Sequence, residues 1–112
     1  MGKRLMFPKP KVPPRSLEEL VRITHELAKK SENVCLDHPH ARKRITERNV
    51  SIQQIFDVLR HGKGVDGPNL DAYGCWRIKL ERFSAGQRIQ VVVVVKERYL
   101  EVVTVINKGR KK

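Results

Sequence analysis

The residues whose types and spacing bear on chemistry fall in two places. In residues 38–48, HPHARKRITER, helical spacing sets His40, Arg44 and Glu47/Arg48 along one side, because residues three and four apart are neighbours on a helix. In residues 75–82, CWRIKLER, strand alternation puts Arg77 and Lys79 opposite Trp76, Ile78 and Leu80, on a sheet surface away from the core. Cations grouped on an open sheet face suit phosphate binding. Structural roles compete with these. His40 can cap or pack at its helix start, Arg44 and Arg48 have Glu47, Asp37 and Asp57 as pairing partners, and Trp76 and Phe56 fit a core better than base stacking. A further constellation, Cys35-x-x-His38-x-His40 with Cys75, gathers metal-ligating types. Its spacing matches no standard zinc arrangement and Pro39 turns the two histidines apart, so neither a metal nor a cofactor is expected. Glycine-rich phosphate loops, paired carboxylates and serine nucleophile motifs are missing from the sequence.

The elements that must carry these residues can be read in order. Residues 8–14, PKPKVPP, hold four of the six prolines and exclude regular helix or central strand, which leaves an extended basic arm over residues 1–15. Ser16 and Glu19 form a capping-box pattern that opens a helix running to about residue 30, with Leu17, Leu20, Val21 and Leu27 on its apolar side and His25 on or beside the solvated one. Residues 33–37 read as a short strand. A basic helix follows from about His40, and then a core-facing one capped by Ser51, carrying Ile52, Ile55, Phe56 and Leu59 and closed by Gly62. Residues 62–74, rich in Gly, Asp, Asn and Pro, read as a loop. Three strands end the chain: residues 75–82, residues 88–96 with VVVVV, and residues 100–106, joined by turns at Ser84-Ala85-Gly86 and Glu97-Arg98-Tyr99. The five valines predict a central strand covered on both sides. The expected fold is α+β, with helices packed on one face of a small, mainly antiparallel sheet, in the order α-β-α-α-β-β-β.

One domain is expected over residues 16–107, between the arm and a basic tail at residues 108–112. The net charge of +12 and pI near 10.2 are a common footprint of proteins that meet polyanions, and solvated ends that define no site would give the same values. Nine of the twelve excess charges lie in the two ends, five in residues 1–15 and four in residues 108–112, and the body carries only +3. Two cysteines make no disulfide framework, and the basic N-terminus lacks a signal-peptide apolar stretch. The longest apolar run, residues 89–95, is strand-sized, so no membrane segment is expected and a reduced cytoplasmic setting is the default.

Residues 40–62 carry the pattern H-A-x-x-R-x-x-E-R, then N-V-S-x-x-x-I and a helix ending in L-R-H-G. With the Tyr73-Gly-Cys-Trp-Arg77 strand start and the closing VVVVV and VVTVI strands, residues 33–107 resemble a small bacterial family of domains of unknown function. That family is similar in turn to the RelE/ParE and BrnT toxins of type II toxin–antitoxin systems. The resemblance implies a RelE-like fold and a toxin-like, RNA-directed protein: a metal-free ribonuclease (mRNA interferase) acting on free or ribosome-bound mRNA and partnered by an acidic antitoxin. The chemistry it implies is attack of a 2′-hydroxyl on the next phosphate, which needs cations for the charged phosphorane and a group to move the proton. On that reading His40, Arg44 and Arg77 are the catalytic candidates, His40 as acid or base, and Arg48, Lys79, Arg82 and Lys43 are nucleic-acid contacts. The chain departs from the established toxins in having no Tyr or His after Val105. Two other functions fit the same features: a non-catalytic nucleic-acid-binding module using the charged ends, and a protein-interaction domain such as a gyrase inhibitor.

Overall fold

The computed structural model describes residues 16–109, so the expected arm and the last three residues lie outside the described residues. Helix α1, Leu17–Leu27, opens where Ser16 accepts a hydrogen bond from the Glu19 N–H at 3.1 Å. It is continued by a 3₁₀ turn at Ser31–Asn33, where the Asn33 amide donates to the Leu27 carbonyl. Strand β1 is only Val34–Cys35. Helix α2, Pro39–Glu47, begins with proline at its first position, where a missing N–H costs nothing, and the His38 ring caps it by accepting from the His40 N–H. Helix α3, Ile52–His61, has a complete capping box between Ser51 and Gln54. Four strands follow: β2 Lys63–Leu70, β3 Trp76–Ser84, β4 Gln87–Val95 and β5 Leu100–Gly109.

The five strands form one sheet in the order β1-β5-β4-β3-β2, antiparallel except where β1 pairs parallel to β5. All three helices lie on one face. Leu20 and Ala28 of α1 and its turn, Ala41 of α2, and Ile55, Val58 and Leu59 of α3 share one core with Ile78, Leu80, Ile89, Val91, Val93, Leu100, Val102 and Val105. The α+β class and its helix layer are therefore as expected.

Two expectations are corrected. Residues 63–70, read as part of a loop, are the edge strand β2; their Gly, Asp, Asn and Pro are tolerated because an edge strand has no outer neighbour, and the register to β3 shifts twice along it. The valine run is central, as expected, but helices cover only one of its faces among the described residues. Val91 and Val93 point to the helices, and Val92 and Val94 lie on the other face. There the register sets Val92 between Lys79 and Thr104, and Val94 between Arg77 and Glu101.

Candidate functional site

The sequence-predicted residues separate into three groups. His40, Lys43 and Arg44 line α2 in the helix layer. Arg44 reaches Glu47 through Nη1 at 2.8 Å and donates from Nε to His40 Nε2 at 3.4 Å, and Lys43 stands 3.9 Å from the same carboxylate. Arg48, at the end of α2, donates to the Val105 carbonyl at 3.1 Å and accepts from Asn107 through its own carbonyl. It fastens α2 to β5, the strand that β1 covers for only two residues. Arg77 and Lys79 are on the opposite sheet face, opposite Asn69 and Asp66 of β2. The sheet thus stands between the basic helix and these two cations.

Arg82 marks a different place. Its Nε lies 2.8 Å from Asp57 Oδ1 of α3, and the other oxygen of Asp57 accepts from the Ser84 hydroxyl at 2.6 Å. Beside this bridge is an open cleft of about 580 Å³ lined by His61, Lys63, Glu81, Arg82, Phe83 and Arg88. Four elements build it. The last residue of α3 is His61, and Gly62 turns the chain directly into β2, which starts with Lys63. Gly62 has an ordinary φ of −72°; it is glycine because a Cβ there would stand 2.5 Å from the Val58 carbonyl oxygen. Its own carbonyl is bonded by His25 Nε2 at 2.8 Å, so His25 ties α1 to this corner rather than standing in solvent. Pairing then sets Lys63 opposite Glu81, and the hairpin sets Phe83 opposite Arg88.

Electrostatically the cleft gathers three cations and an imidazole around one acid. Glu81 is partly satisfied by Gln90 at 2.9 Å and Arg88 at 4.0 Å, and Phe83 is half exposed. Guanidinium and ammonium donors of this kind can bind an anionic oxygen, and the exposed ring beside them offers an apolar surface. Of the residues singled out from sequence, only Arg82 lies here. The sequence places a hairpin turn at Ser84-Ala85-Gly86; the structure narrows it to Ala85-Gly86, both at positive φ, and this sets Phe83 opposite Arg88. Lys63 and His61 were not readable, because their convergence depends on β2 being a strand.

Among the described residues, no three His, Cys, Asp or Glu side chains converge as a metal site would need, and Cys35 and Cys75 are free thiols. No described helix is long and apolar enough to cross a membrane. At the far end of the sheet, burial pulls the Lys96 ammonium down, but Cys75, Tyr99 and Glu101 together raise it above its ordinary value.

The sequence pattern of a domain of unknown function, DUF4258, matches residues 38–107. The chain belongs to the DUF4258 family. No curated protein and no solved structure matches it. The DUF4258 segment begins at the His38 cap of α2 and ends at Asn107 in β5, so it contains the cleft, the α2 cations and the open sheet face. Helix α1 and strand β1 precede the matched segment.

Proposed function

We propose that this DUF4258 domain is a toxin-like, RNA-directed protein that draws single-stranded RNA into the cleft of His61, Lys63, Arg82 and Arg88 and cleaves it without a metal, an acidic antitoxin covering the same cations. The cleft carries this reading, as the concave place where an imidazole and three cations meet beside an exposed aromatic ring. The RelE-like order of elements supports it. In the reaction, the 2′-oxygen attacks the adjacent phosphorus while His61 takes the hydroxyl proton. Lys63 and Arg88 offset the charge that builds on the phosphoryl oxygens, with Arg82 held in place by Asp57. The 5′-oxygen leaves with a proton from water, giving a 2′,3′-cyclic phosphate and a free 5′-hydroxyl.

Expression of the full chain in a bacterial host, with growth and RNA integrity followed over time, tests the proposal. Growth arrest with RNA bearing 5′-hydroxyl ends is expected, and His61→Gln should lower cleavage by about a hundredfold or more with little change in RNA affinity. Normal growth and intact RNA from soluble, folded protein would sink it. A second reading, a non-catalytic nucleic-acid-binding module, is favoured by the placing of nine of the twelve excess charges in the sequence ends. It predicts RNA binding by the wild-type chain with no cleavage products.

A further inference from the structure

A second cavity, of about 350 Å³, adjoins the cleft on the outer side of α3. The two share His61, and Asp57, which lines the second, is ion-paired to Arg82, which lines the first. The Asp57–Arg82 bridge and the His61 ring are therefore the partition between them. Their linings differ in kind. The cleft is rich in cations, Lys63, Arg82 and Arg88. The second cavity is built from the half-exposed Ile52, the Phe56 ring, and an Arg60 whose position is fixed: its Nε donates to the Ala28 carbonyl at 2.6 Å, and its guanidinium carbon is 4.7 Å from the centre of the Phe56 ring.

A guanidinium already bonded to a carbonyl and seated against a ring, with a carboxylate nearby, is a poor phosphate site. It is a good platform for a flat, uncharged group, because a planar guanidinium stacks on nucleobases as it does on aromatic side chains. Resting on the reading of the cleft as an RNA site, we infer that the second cavity is a nucleobase subsite. The phosphate to be cleaved sits in the cleft at His61, and the base of an adjoining nucleotide lies across the partition, on Arg60 and against Ile52. The substrate is then a single strand read over at least two nucleotides, one subsite taking charge and the other a base. Single strands are favoured over duplex RNA, since a paired base must first be unpaired and unstacked to enter the cavity.

The test is equilibrium binding of the full chain to a short 2′-O-methyl oligoribonucleotide, which cannot be cleaved, and to the same strand carrying abasic positions. The wild-type protein should bind the intact strand about tenfold or more tightly than the abasic one, the usual value of one stacked base. Arg60→Lys keeps the charge and loses the plane; Ile52→Ser alters an exposed position that the core does not need. Each should weaken the intact strand several-fold and leave the abasic strand unchanged. Equal weakening of both strands by Arg60→Lys, with no effect of Ile52→Ser, would overturn the subsite and leave the cleft reading standing. Absence of RNA binding by the wild-type chain would remove both.

Discussion

Asp57 shows how one side chain serves both stability and site. It accepts from Arg82 on one oxygen and from the nearly buried Ser84 on the other, joining α3 to β3. Asp57→Ala leaves the Ser84 hydroxyl without that acceptor and frees Arg82, so a loss of about 1.5–2 kcal/mol is expected, toward the low end for hydrogen bonds to a charged group because Asp57 is partly exposed. Arg82→Ala keeps the Ser84 bond and should cost less than about 1 kcal/mol, as for a half-exposed ion pair. Urea unfolding of the two variants checks the order; an equal or reversed order would mean that the ion pair, not the hydroxyl bond, joins the elements. Lys96 gives a pH prediction. Burial lowers its pKa, but the neighbouring Cys75, Tyr99 and Glu101 outweigh burial and raise it above 10.5. A lysine whose folded value lies above its unfolded one contributes stability fully below pH 10.5 and loses it as pH rises through the folded value. The stability gap between wild type and Lys96→Met should thus hold steady up to pH 10.5 and narrow above it, measured by chemical unfolding at stepped alkaline pH.

At the scale of elements, α3 is the piece that both the core and the cleft depend on. Its start is a capping box and its end is a glycine without room for a Cβ. Ser51→Ala removes the acceptor for the Gln54 N–H and should cost about 1 kcal/mol. Gly62→Ala must move backbone against backbone at the Val58 carbonyl and should cost more, about 1–3 kcal/mol, with a drop in RNA affinity because His61 and Lys63 flank it. Thermal melts of both variants, with RNA titrations, check this; a Gly62→Ala variant as stable as wild type would mean that the α3–β2 corner yields freely. The start of α3 was legible in the sequence because capping is local: Ser51 and Gln54 lie three residues apart. The hairpin β3–β4 was legible for the same reason, through the turn at Ser84-Ala85-Gly86, although its register, set by Ala85-Gly86 alone, was not. Strand β2 was not, because nothing in KGVDGPNL alternates in hydrophobicity; it is a strand through its pairing with β3, a tertiary fact. His25 was missed likewise, its acceptor being 37 residues away.

The whole molecule decides which cations act together. Strand alternation correctly separated Arg77 and Lys79 from the apolar face, and helical spacing correctly grouped His40 with Arg44, but neither periodicity tells which side of the sheet a helix packs on. Once α2 lies in the helix layer, its cations and those of the open face cannot grip one phosphate together, whereas Lys63, Arg82 and Arg88 share one cleft. Salt dependence measures this arrangement. Each phosphate contact to single-stranded RNA contributes about 0.7 to the slope of log affinity against log salt. The full chain, with nine of its excess charges in the sequence ends, should show a steep slope from the ends and the cleft combined. Replacing Lys63 and Arg88 by Met should lower that slope by about 1.4, two contacts' worth, with the contribution of the ends unchanged. Replacing Arg77 and Lys79 by Met should leave it unaltered, because those cations stand beside Val92 and Val94 and outside the lining of the cleft. The reverse result, a slope that falls only when Arg77 and Lys79 are removed, would move the RNA along the sheet away from the cleft, and His61 would lose its part in the chemistry.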